Sequence, residues 1–91
     1  MDVPDMLSMD PMDHINLDLF TLHGKYYLVI VDKCSSYLKV YATKTMTTRE
    51  VTDHLEDFFL AYSTPRVVRS DGGPAFRNQF TQWCSSLGIR H

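Results

Sequence analysis

Hydrophobic and polar positions begin to alternate at "HINLDLF". Ile15, Leu17 and Leu19 fall on one side and His14, Asn16 and Asp18 on the other, the two-residue period of a β-strand. "TLHGK" brings a glycine for a turn. "YYLVIVD" is then apolar at every position up to Asp32, as expected of a strand covered on both faces. "YLKVYATK" alternates again, Leu38, Val40 and Ala42 against Tyr37, Lys39 and Tyr41, so one face meets the core and the other meets water. That pattern suits an edge strand. Three strands with short links predict an antiparallel meander.

The period then lengthens. Val51, Leu55, Phe58, Phe59 and Tyr62 form a helical stripe, and "TTRE" ahead of it fits a capping box between Thr47 and Glu50. Pro65 marks the stop. "RVVRSD" reads as a short buried strand reached across a helix, which favours parallel pairing in the same sheet. "GGP" turns the chain into a second helix carrying Phe80, Trp83, Cys84 and Leu87, with Asn78 as cap and Gly88 as terminator. "IRH" starts a fifth strand. The order predicts an α/β fold with a mixed sheet, a three-stranded meander extended by parallel strands and flanked by helices. No glycine-rich phosphate loop follows the first strand, so a doubly wound nucleotide fold is excluded.

Length narrows this to one small domain of 91 residues. "MDVPDMLSMDPM" has no periodicity, and residues 1–11 are expected to form a disordered lead-in to a domain over residues 12–91. A net charge of −2 argues against a strongly basic nucleic-acid module. Cys34 and Cys84 are expected to be free thiols, and the histidines show no metal-ligand spacing. No apolar run could span a bilayer and no stretch reads as a secretory leader, so the expected setting is intracellular, nuclear or cytoplasmic.

Four aspartates could bear chemistry: Asp13, Asp18, Asp32 and Asp71. Asp13 fits the solvated lead-in, and Asp32 fits a turn in which its carboxylate accepts backbone amides. Asp18 sits in a strand with no lysine or arginine, and burial there would demand a positive partner. Asp71 ends a strand that would lie beside the first one, about 4.8 Å away if directly paired. Two carboxylates so close repel unless a cation intervenes. Oxygen-only ligands suit Mg²⁺ or Mn²⁺, and Gly72-Gly73-Pro74 would leave room for the ion and a substrate backbone.

Taken together, "PMDHINLDLF", "GKYYLVIVDKCSSYLKVY", "TTREVTDHL", "TPRVVRSDGGPAF" and "LGIRH" resemble the retroviral-type integrase catalytic core, closest to the gypsy-like retrotransposon branch. The resemblance runs from about Pro11 to His91. It implies a ribonuclease H-like fold, incomplete at the C-terminus. It also implies two-metal chemistry on DNA ends, with Asp18 and Asp71 as the first two acids and Asp32 as a non-catalytic aspartate. The third acid of that pattern, a glutamate beyond the second aspartate, has no counterpart, since Glu50 and Glu56 precede Asp71. Ser36 and Ser63 stand where relatives often carry glycine.

Two functions follow from this resemblance. One is a fragment of a DNA-integrating polynucleotidyl transferase that processes 3′ ends and transfers strands, binds DNA weakly by itself, and has little activity alone. The other is a non-catalytic remnant acting as an interaction module, a homodimer through the Val51–Tyr62 helix. A phosphoacceptor switch on Asp32 lacks the acidic pair and lysine it would need. Phe76, Phe80 and Trp83 are expected to be partly exposed, as no further helices follow to cover them.

Overall fold

The computed structural model describes residues 11–91, so the expected lead-in lies, save for Pro11, outside the described residues. The meander is present as β1 (His14–Leu22), β2 (Lys25–Asp32) and β3 (Leu38–Thr43), followed by helix α1 (Thr48–Ala61) and strand β4 (Val67–Arg69). A 3₁₀ turn (Pro74–Phe76) leads into helix α2 (Asn78–Ser86). Strand order is β3-β2-β1-β4. The first three strands pair antiparallel, and β4 pairs parallel to β1 through His14–Val67, Ile15–Val68 and Asn16–Arg69. The expected fifth strand is represented by a single parallel bridge, Val67–Arg90.

One face of this mixed α/β sheet carries the core. Ile15 and Leu17, Leu28 and Ile30, and Val68 meet Val51, Leu55 and Phe58 of α1 and Phe76, Phe80 and Cys84 of the second helical segment. Each large side chain removed from water in this way contributes roughly 1.5–3 kcal/mol. The opposite face carries no such layer among the described residues. Strand β2 is therefore covered on one side only: Leu28, Ile30 and Asp32 are buried, whereas Tyr27, Val29 and Val31 are half-buried. This corrects the expectation of a strand enclosed on both faces.

The same asymmetry reverses the reading of the edge strand. Leu38 and Val40 lie on the open face at 54% and 44% exposure. Lys39 and Tyr41 turn toward the helices, where the Tyr41 hydroxyl donates to Asp57 (3.1 Å) and its ring stacks on His54 at 4.8 Å. Burial and that hydrogen bond push the Tyr41 phenol up to about 12. Phe76 and Phe80 are buried, contrary to expectation, because they sit on the covered face, whereas Trp83 is half-buried as expected.

Local signals held in part. Thr47 Oγ1 accepts from the Glu50 amide (3.3 Å), but the Glu50 carboxylate reaches the Lys44 amide (2.7 Å), so only half of the capping box forms. Asn78 is the first helical residue of α2, and Arg77 precedes it with no side-chain cap. The helix stripes end early, with Tyr62 and Leu87 both exposed. The end of α2 matches the glycine signal closely. Gly88 is left-handed (φ +76°), its amide donates to Ser85, and the Ile89 amide donates to Cys84, the pattern of a Schellman motif. Cys34 and Cys84 are not joined in a disulfide, and burial raises the Cys84 thiol to about 11.

Ser36 adopts the left-handed conformation expected of a glycine (φ 63°), whereas Ser63 is absent from the described residues with positive φ. A side chain at such a φ costs roughly 1–2 kcal/mol, partly offset by the lower chain entropy of a non-glycine residue. Ser36→Gly should therefore raise stability by about 0.5–1 kcal/mol, seen as a higher urea midpoint. A lowered midpoint would show that no strain resides there.

Candidate functional site

Asp18 lies mid-β1, opposite Val29 of β2, on the open face. Its carboxylate is exposed even though β1 is a central strand, which corrects the expectation of a buried group needing a cationic neighbour. The cause is the missing layer on that face. Among the described residues it accepts no hydrogen bond and forms no ion pair.

Asp71 lies two residues beyond the end of β4. The last pair of the parallel ladder is Asn16–Arg69, so the same step of two along each chain leads to Asp18 and to Asp71. The ladder stops at Arg69, and Asp71 belongs to the turn that follows. There Asp71 Oδ1 accepts the Gly73 amide at 2.9 Å. A Cβ built on Gly73 would come within 3.0 Å of that same oxygen, so a side chain at position 73 would press on the carboxylate. This is a physical reason for the second glycine of "SDGG".

Asp71 borders two clefts. The larger, about 660 Å³, is lined by His14, Arg69, Ser70, Thr81, Arg90 and His91 among others. The smaller, about 200 Å³, runs past Leu19, Met46 and Phe76. Asp18 borders neither. Among the described residues no group of three or more His, Cys, Asp or Glu side chains could hold a metal ion. Carboxylate oxygens are the donors preferred by a hard cation that retains most of its waters.

Asp32 has a different task. It is fully buried at the end of β2, where it accepts the amides of Met12 (2.9 Å), Cys34 (3.3 Å) and Ser35 (3.0 Å) and the Ser35 hydroxyl (2.6 Å). Burial alone would raise its pKa, but hydrogen bonds from Ser35, Met12 and Cys34 outweigh it and hold the carboxyl below the usual range. This is the turn role read from the sequence, extended by Met12 of the entering chain.

Asp13 corrects the sequence reading. It is not solvated; its side chain is 13% exposed and grips Arg66 through Nε at 3.0 and 2.8 Å and through a second guanidinium nitrogen at 2.6 Å. Its carbonyl also accepts the amides of Arg66 and Val67. The hydrogen bond from Arg66 holds the Asp13 carboxyl below its ordinary value. This bracket starts the β1–β4 ladder, and no local pattern in the sequence announces it. The cluster of Ser70, Thr81 and His91 was likewise missed, as its members lie 10 to 21 positions apart.

Comparison with known proteins agrees with the fold. The model of the integrase core domain matches residues 8–91, and the chain belongs to that family. Its mixed sheet with flanking helices is the ribonuclease H-like fold expected above. It is 34% identical over 83 residues to the uncharacterized protein K02A2.6 of Caenorhabditis elegans, covering 89% of this chain and 6% of that one. It is 40% identical over 67 residues to the Pol polyprotein of Feline endogenous virus ECE1, covering 71% of this chain and 6% of the polyprotein. A third relative, the Pol polyprotein of Radiation murine leukemia virus (strain Kaplan), is 40% identical over 68 residues, with 72% and 12% covered. The chain thus spans a small part of each relative.

The folded-state pKa of both Asp13 and Asp32 is depressed, so their stabilisation is complete above the unfolded carboxyl value of about 3.9. It should be lost as pH falls through the lower folded values. Asp32→Ala should cost roughly 2–4 kcal/mol at neutral pH, because several donors lose their acceptor. It should also flatten the loss of stability in acid, as followed by urea melts from neutral pH downward. An unchanged acid limb would assign the titration to other carboxylates.

Proposed function

We propose that this chain forms part of the catalytic core of a DNA-integrating polynucleotidyl transferase, in which Asp18 and Asp71 hold a divalent cation, Mg²⁺ or Mn²⁺. The observation that carries this reading is the parallel register, which leads from Asn16 and Arg69 to the two aspartates by equal steps. Membership of the integrase core family supports it. Asp18 comes from a rigid central strand and offers both carboxylate oxygens. Asp71 has one oxygen committed to Gly73, which orients the other. When bound, the cation would activate an attacking hydroxyl and offset charge on the leaving oxygen of a phosphodiester.

Two carboxylates make an incomplete clamp for a two-ion reaction, so the 91-residue chain alone should bind the ion loosely and show little or no strand transfer. DNA contact should also be salt-sensitive, with only nine basic residues in the chain. A second reading, a non-catalytic interaction module, is favoured by a different observation: Leu60 of α1 is 89% exposed. Self-association without Mg²⁺, read by light scattering and abolished by Leu60→Lys, would support it.

The metal reading is tested by following backbone amide resonances during a Mg²⁺ titration. Shifts should centre on Asp18, Asp71 and Gly73, and Asp18→Asn or Asp71→Asn should weaken binding at least about tenfold, a loss that even outer partners of metal ligands can cause. Shifts centred on other carboxylates, or indifference to Asp71→Asn, would overturn it.

A further inference from the structure

Three elements meet at one imidazole. His91 Nε2 lies 2.7 Å from Ser70 Oγ in the turn after β4, and His91 Nδ1 lies 2.7 Å from Thr81 Oγ1 on α2. The ring stands edge-on to buried Phe80, with centroids 4.9 Å apart. The preceding residue, Arg90, is fixed along the β4 segment by two backbone hydrogen bonds, its N–H to Arg66 just before the strand (2.8 Å) and Val68 N–H to its carbonyl (2.9 Å). The backbone leading into His91, its ring against Phe80 and both ring nitrogens are therefore all engaged.

We infer that His91 is a positioning residue for Asp71, fixing the turn that presents that carboxylate by tying Ser70 to α2. The inference rests on the proposed role of Asp71. Ser70 directly precedes Asp71, and its hydroxyl donates to the Asp71 carbonyl at 3.2 Å. With its proton placed there, Ser70 Oγ accepts from His91 Nε2–H, and His91 Nδ1 is left to accept from the Thr81 hydroxyl. The relay runs in one direction: Thr81 to His91 to Ser70 to the Asp71 backbone. It needs a neutral imidazole, with one donor and one acceptor nitrogen. Burial lowers the His91 pKa and so favours that form.

Among the described residues the turn's other hydrogen bonds lie on the far side of Asp71: the Gly73 amide to Asp71 Oδ1 (2.9 Å), Arg77 Nε to the Gly72 carbonyl (3.4 Å) and the Phe76 amide to the Gly73 carbonyl (2.9 Å). Gly72 has open space where a Cβ would stand, and Ser70 is the point at which the β4 ladder has already ended. Cutting the relay at either end should therefore release Asp71 while leaving the meander intact. The remoteness of Thr81 makes the idea testable, since Thr81 is ten positions from His91 and on another element.

The readout is the Gly73 amide proton, whose resonance reports acceptance by Asp71 Oδ1. In the 91-residue chain without metal, His91→Ala and Thr81→Val should each remove its downfield displacement and leave the amides of Leu28 and Ile30 in place. His91→Asn, which keeps one donor and one acceptor, should restore much of it. An unmoved Gly73 resonance in Thr81→Val, or equal disturbance of Leu28 and Ile30, would overturn the inference and leave His91 a general packing residue. A wild-type chain indifferent to Mg²⁺ would overturn only the metal reading, because the Gly73 readout needs no ion.

Discussion

The parallel pairing of Val67–Arg69 with His14–Asn16 is the contact on which the rest of the arrangement depends. It is three residues long, and a parallel ladder that short has little strength of its own. Three devices brace it. The Asp13 carbonyl and carboxylate hold Arg66 and Val67 at one end, Arg90 pairs along the outer side, and Asp32 anchors the entering chain through Met12. Each is a long-range contact made by a charged or backbone group rather than by apolar packing. The core fixes where the helices lie, whereas these polar contacts set the register.

Packing everything on one face has a cost that falls on the other. Val29, Val31, Leu38 and Val40 form an apolar surface that the described structure leaves half-covered or open, and Asp18 stands within it. Strand β3 adds a free edge to the sheet. Edge strands are commonly guarded by a lysine pointing outward, but Lys39 here turns toward Tyr41, 5.2 Å from its ring centre. The carboxylate exposure on which the proposed metal role depends thus comes with an open apolar surface.

Much of the fold was legible in the sequence. Ile15, Leu17 and Leu19 fix the facing of β1, and the stripe from Val51 to Phe59 fixes that of α1, because in each case one period dominates. Strand β3 defeated the same logic. Its apolar residues face outward because Tyr41 and Lys39 can bury their stems against α1 while satisfying their polar ends at Asp57 and the tyrosine ring. Glu50 and Asn78 show the limit of local capping rules, since the Lys44 amide competed for the carboxylate and the 3₁₀ turn occupied the space before α2. Around the candidate site, the placement of Asp18 in β1 and of Asp71 just after β4, and the turn role of Asp32, could be read, being carried by local strand and turn patterns. The Asp13–Arg66 and Ser70–His91–Thr81 contacts could not, since nothing in one dimension links residues brought together only by the closed sheet.

That separation has a kinetic side. The β1–β2–β3 meander closes through loops of a few residues, whereas β4 must return across 53 positions to find His14. Loop-closure entropy delays such distant pairings relative to near ones. The edge that carries Asp71 should accordingly assemble after the meander and, resting on a ladder of three residues, should open before it when the native state fluctuates.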